Sequence, residues 1–188
     1  MANTDAPNGF TPAFHLKGGT IRLQKYNIAS ALAADIKSGD CVFLTGSGKQ
    51  IDLVDAGTDT PIVGVFQGVR YRDTDGSYIY RKDWVSGTTT LNSDDAVAMV
   101  VDDPNVVFEV QASGSIAAAD IGQQADIAYT AGSSLLGTSK AELGAPASGA
   151  NFQIYDLVDR DDNEYGANAK VYVLINEHAY ANAINVAV

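Results

Sequence analysis

The segment Pro61-Ile62-Val63-Gly64-Val65-Phe66-Gln67-Gly68-Val69 limits what this chain can fold into more than any other. It is dominated by β-branched and aromatic residues and broken by two glycines. In a helix each glycine costs about 1 kcal/mol relative to alanine, whereas a bent or bulged strand tolerates both. The segment therefore reads as the strongest strand in the chain. Shorter runs of the same character recur: residues 41–44, 50–54, 78–80, 96–101, 106–111, 126–129, 151–158 and 170–176. From Thr20 Ile21 and Leu23 alternate with Arg22 and Gln24, the period-two signature of a half-buried strand that runs on toward Tyr26.

Between these runs lie turns whose residues carry a mechanism. Asp73-Thr74-Asp75-Gly76 ends in a tight-turn pair, and Asp102-Asp103-Pro104-Asn105 joins two apolar runs. Gly46-Ser47-Gly48-Lys49 links two strands as a hairpin. Helical character is confined to alanine-rich stretches at 29–36 and 116–121, each long enough for a turn or two, and residues 135–143 read as a loop with room for a short strand. About ten short strands with frequent turns define an all-β fold. The expectation is a single β-sandwich or β-barrel-like domain over residues 19–188, with short helical turns and an extended N-terminal arm at 1–18. Breakers at Asn3, Pro7, Gly9 and Pro12 make that arm irregular, and Phe10 and Phe14 are its apolar hooks, aimed either into the chain's own core or at a partner. One faint self-similarity stands out. Ala34-Asp35-Ile36 precedes Asp40 and an apolar run, and Ala119-Asp120-Ile121 precedes Asp126 and another. Chance accounts for it as well as duplication does, and no repeat is drawn from it.

Composition narrows the partners. The chain has 188 residues, with 12 Lys and Arg against 23 Asp and Glu, a net charge of −11, so the mean field repels phosphate backbones. Nucleic acid is not expected as a partner. Arg70, Arg72, Arg81 and Lys82 form the only cationic cluster, around one hairpin, and it is too small for a nucleic-acid groove. No apolar run reaches the ~18 residues of a membrane span, and the opening residues carry no secretory pattern, so synthesis in the cytoplasm without membrane insertion is expected. Cys41 is the only cysteine, and in its apolar run it reads as a small buried side chain.

Most chemistry-bearing motifs fail on spacing. A phosphate loop ending at Gly48-Lys49 needs glycine at position 43 and Ser or Thr at position 50, where Phe43 and Gln50 stand. The acidic turn 159–164 has oxygens at alternate positions, but Glu164 occupies the place a calcium loop gives to glycine, and Lys170 the place of its bidentate Glu. A solvated hairpin tip is the better reading. His15 and His178 neighbour no Ser, Cys or acid in a hydrolase arrangement, so neither catalysis nor a metal or other cofactor is expected. Aromatics offer more. Tyr71, Tyr78, Tyr80 and Trp84 crowd one stretch, and such rings serve as core, as a sugar-stacking platform or as protein-interface anchors. If Ile79 is core, Tyr78 and Tyr80 point outward.

The run Gly64-Val65-Phe66-Gln67-Gly68-Val69-Arg70-Tyr71, with Trp84, the Asp103-Pro104 turn and Phe108-Glu109-Val110-Gln111, resembles the head decoration (cement) proteins of tailed bacteriophages. The opening, Asn8-Gly9-Phe10 to Gly18-Gly19, is similar to that of virion structural proteins of marine phages. The resemblance implies a small β-rich protein, not an enzyme, that binds the outer surface of the expanded capsid and reinforces it. It implies the major capsid protein as partner, a homo-oligomer with a trimer favoured, and a place on the capsid exterior of the virion. It transfers no residue role. The candidate capsid or protomer interface is drawn from the residues themselves: Phe10, Phe14, His15, Tyr71, Tyr78, Tyr80 and Trp84. The alternative is a carbohydrate-binding or tail-fibre-type virion module that stacks sugars on the four clustered rings.

Overall fold

A computed structural model describes residues 3–29, 32–55, 60–92 and 96–181. Fourteen strands carry nearly all of its regular structure. The first, β1 (Thr11–His15), lies in the arm. Six follow: β2 (Gln24–Ile28), β3 (Cys41–Leu44), β4 (Gln50–Leu53), β5 (Ile62–Arg72), β6 (Tyr78–Arg81) and β7 (Val97–Val101). The remainder are β8 (Val106–Gln111), β9 (Ser115–Ile116), β10 (Gln124–Ala128), β11 (Glu142–Ala147), β12 (Phe152–Leu157), β13 (Gly166–Ala167) and β14 (Lys170–Ile175). The fold is all-β. One six-stranded sheet runs β3-β4-β2-β7-β5-β6, the other β1-β8-β14-β12-β10-β11, and β9 pairs with β13 as a small ribbon.

Each sheet curls until its ends meet. In the first, β3 also pairs with β5 through Cys41↔Val65 and Val42↔Gly64, so β3, β4, β2, β7 and β5 form a ring with β6 standing outside it. In the second, the bridge Ala112↔Leu143 and the Ser113 amide donating to the Leu143 carbonyl (2.8 Å) bring β8 against β11. Closure pairs each ring strand on both sides, though β2 meets β4 only at Asn27 and Ile28. It also demands close backbone approach. A Cβ on Gly64 would lie 2.1 Å from the Val101 carbonyl oxygen, so the longest strand takes glycine there.

The two rings have the same connectivity. β2–β7, β3–β4, β3–β5 and β5–β7 are antiparallel and β2–β4 is parallel. The corresponding pairs β8–β14, β10–β11, β10–β12 and β12–β14 are antiparallel, and β8 meets β11 in parallel. Register matches as well. Ile28↔Ile51 in one ring answers Ala112↔Leu143 in the other, and a bulge skipping Gln67 answers one skipping Tyr155. Before β3, Gly39 (φ +96°) donates to the Phe66 carbonyl and Asp40 accepts from the Phe66 amide; before β10, Gly122 (φ +87°) and Gln123 make the same pair of bonds with Ile154. The echo of Asp35-Ile36 in Asp120-Ile121 lies two residues out of this register, since Gly39 matches Gly122, so it is not part of the doubling. The doubling is one of topology and backbone bonding, carried by strand pairing and not by that sequence echo.

Two apolar clusters fill the molecule. The first ring closes around Tyr26, Ile28, Val42, Phe66, Val100 and their neighbours, with Trp84 and Ile36 joined by reciprocal backbone bonds of 2.8 and 3.0 Å. The second cluster fills the other ring and takes in Cys41, Ile62, Val65 and Val101 from the outer side of the first, which fuses the two. Cys41 is fully buried.

Several expectations are revised. The irregular arm contains β1, which pairs antiparallel with β8. The helical stretch at 29–36 shows no helix among its described residues, because Ile36 bridges to Trp84 instead. The alanine-rich stretch at 116–121 does hold a single 3-10 turn, Ala118–Asp120. Residues 142–147 form β11, which takes Glu142 and Leu143 from the end of the stretch read as a loop with room for a short strand, with Pro146 opposite Ala125. The strand expected from Ile21 begins at Gln24 and buries Tyr26 and Ile28 on the inner face; Leu23 is 52% exposed. Most of the loop read between residues 56 and 60 lies outside the described residues.

Candidate interaction face

The seven residues singled out in the sequence fall in four places. Phe10 is fully buried and stacks on Phe152 with ring centroids 4.5 Å apart, so it belongs to the chain's own core and is withdrawn as an interface anchor. Tyr71 and Trp84 are withdrawn for the same reason: they meet edge to face at 6.0 Å inside the first ring. Phe14 and His15 sit on β1. Phe14 packs its edge against Tyr172 (5.3 Å) and Tyr155 (6.2 Å) on the outer side of the second ring. His15 Nδ1 accepts from the amides of Lys17 and Gly19, which places the proton on Nε2, 3.2 Å from Asp103. That imidazole pins the arm to the β7–β8 turn. Bonds from the Asn105 backbone, the Asn105 side chain and His15 hold the Asp103 carboxyl below the usual carboxylate range.

Tyr78 and Tyr80 alone among the seven stand well out, 58% and 72% exposed. They occupy alternate positions of β6, while Ile79 between them packs on the first ring's cluster. The hairpin that carries them is set by Gly76 (φ +90°) and by the Asp73 amide donating to the Ser77 carbonyl. Arg70 stands opposite Tyr80 and Arg72 opposite Tyr78 across the ladder, and both guanidinium groups lie over the Tyr78 ring, at 5.2 and 5.8 Å. Exposed cation–π pairs of this kind contribute about 0.5–1 kcal/mol each.

The base of the hairpin is fixed by buried charge. Lys37, with a side chain 3% exposed, lies 3.2 Å from both Asp35 and Asp83, and Asp83 also accepts from Arg81. Asp40 accepts from the Lys37 amide at 2.7 Å, and burial pushes its carboxyl pKa up.

The rows of the ladder continue this surface. Outward positions run from Lys25 and Asn27 on β2, through Met99 and Val97 on β7 and Gly68, Arg70 and Arg72 on β5, to Tyr78 and Tyr80 on β6. Three of them are cations and none is a carboxylate, in a chain with almost twice as many acids as bases. Leu23 joins this face, and with Met99, Gln67 and Tyr80 it lines a shallow depression of about 320 Å³ flanked by Arg81 and Lys82. Sequence reasoning found the tyrosines and the arginines but placed Leu23 in the core; a strand's period fixes which residues share a face, not which face is buried.

Elsewhere, Leu135 and Leu136 project from a tight loop, 94% and 65% exposed, at positions the sequence marked only as loop. The acidic turn is organised by Asn163, whose amide nitrogen donates to the Val158 and Lys170 carbonyls while its oxygen accepts from the Lys170 amide. Asn3 clips the arm's start onto the same turn through Glu164 and Ala167. Among the described residues, no group of three or more His, Cys, Asp and Glu side chains is gathered to hold a metal. Comparisons with family models, curated proteins and solved structures gave no match to this chain.

Proposed function

We propose that the chain is a viral structural protein of the decoration type, binding the outer surface of an expanded phage capsid and stabilising it. The observation that carries this reading is the outward pair Tyr78 and Tyr80, set in a carboxylate-free cationic face on a hairpin tied at its base by the buried Lys37–Asp83 ion pair. Aromatic and arginine side chains are the groups that anchor protein interfaces. Mounted on a closed ring they meet a partner with little ordering cost. The sequence likeness to cement proteins supplies the partner's identity, the major capsid protein. Many copies bridging neighbouring coat subunits hold the shell by summed contact, each site being modest. The same reading favours a homo-oligomer, with three copies around each capsid axis. The carbohydrate alternative loses ground because Tyr71 and Trp84, two of the four rings it needs, are core.

Quantitative mass spectrometry of gradient-purified particles tests the proposal. A copy number comparable to that of the major coat protein is the expected result. A few copies per particle, or none, overturns it.

A further inference from the structure

The doubled fold supplies an internal comparison. Register aligns Tyr26 with Val110, since each faces the equivalent of the other's β7 or β14 partner, Ala98 and Val171. Lys25 then matches Glu109, Leu23 matches Val107, Met99 matches Tyr172, and the bulged Gln67 matches Tyr155. On the second ring this place is occupied. The strand β1 pairs along residues 106–109 of β8, and Phe14 seats on Tyr172 and Tyr155, leaving Val107 with no exposed surface. On the first ring the same place is open. Beyond the two-residue contact of Asn27 and Ile28 with β4, no ladder runs along the outer edge of β2 among the described residues, and Leu23 is 52% exposed beside the depression it shares with Met99 and Gln67.

The chemistry around that edge selects what would fit it. Lys25 stands where the occupied site has Glu109, and Arg81 and Lys82 flank the depression. Gln67 Nε2 at the β5 bulge, which lines the depression, and Arg70 Nε, further along the same face, are shielded donors with no hydrogen-bond acceptor among the described residues. The place wants an apolar anchor together with carboxylates. We infer that the outer edge of β2 is a strand-addition site that accepts an extended acidic segment of a partner protein, carrying an aromatic or large aliphatic residue into the depression under Leu23. Strand addition of this kind draws affinity from main-chain bonds and specificity from pockets for alternate side chains. The site rests on the fold comparison; only its assignment to a coat subunit rests on the proposed function.

Titration of the full chain with two fluorescently labelled synthetic peptides tests the inference. Both have the same alternating β-branched sequence with a central phenylalanine; one is rich in glutamate and the other in lysine. The glutamate peptide should bind, with the lysine peptide at least about tenfold weaker, and Leu23→Glu or Lys25→Glu should weaken the glutamate peptide about tenfold. Leu135→Glu, on an exposed loop elsewhere, should leave binding unchanged. Circular dichroism checks that each variant is folded. Equal binding of the two peptides, or binding indifferent to Leu23→Glu and Lys25→Glu, overturns the site. Because no particles are present, this outcome is independent of the copy number that tests the capsid reading.

Discussion

Phe10 makes the case at the scale of one residue. It follows Gly9, whose φ of +68° turns the chain inward, and its amide donates to the Gly39 carbonyl at 2.9 Å while its ring stacks on Phe152. A segment full of chain-breaking residues is therefore anchored as firmly as any strand. Phe10→Ala should cost about 3–5 kcal/mol, the usual range for a buried aromatic, and denaturant unfolding would measure it. The outward tyrosines behave differently. Tyr78→Ala and Tyr80→Ala remove exposed rings and should change stability by no more than about 0.5–1 kcal/mol, the size of a surface substitution plus a lost cation–π contact. In the capsid reading, the double variant should lose most of its co-sedimentation with expanded shells.

At the scale of elements, the joint between the rings is the place where acid should act. His178 follows β14 and bridges to Ile62 at the head of β5, fully buried, with Nδ1 accepting from the Tyr180 amide. Burial lowers its pKa, with Asp102 and Asp103 opposing in part. A histidine held neutral in the fold takes up its proton more readily in the unfolded chain, near pH 6.5, so its contribution to stability is present above that pH. It is lost progressively as pH falls from there toward the lower folded pKa. Asp103, with a lowered pKa, adds a loss at more acidic pH as it is protonated in turn. Thermal unfolding followed from pH 7 to pH 5 should show a declining midpoint. His178→Asn keeps an acceptor for the Tyr180 amide and should flatten that decline.

Across the whole molecule, the β class and most strand positions were legible in the sequence, because period-two patterning and turn chemistry are local properties, while the outward setting of Tyr78 and Tyr80 followed only on the condition that Ile79 is core. The doubling was not. Matched interior positions carry different volumes, Phe66 against Ile154, Tyr26 against Val110 and Ile28 against Ala112, so each ring packs with its own set and the likeness is erased. What survives is backbone necessity: Gly39 and Gly122 both hold positive φ ahead of equivalent strands. The candidate face was half legible for the same reason. Rings and guanidinium groups are visible as residues, but the exposure of Leu23 and the burial of Trp84 depend on closure, which joins strands far apart in the chain.

The pairing of β1 with β8 has a consequence for how the protein is made. The arm leaves the ribosome before both rings, and its partner strand emerges only after all of β2–β7. Among the described residues the first ring uses no strand from outside β2–β7, so it can close before β8 and Phe152, the arm's strand and ring partners, are made. Chains halted just after β7 should therefore show a protease-resistant first ring and a cleavable arm, with protection reaching residues 10–15 only once the later strands are out. Docking of the arm would then wait for the second ring, although the arm is made before either ring.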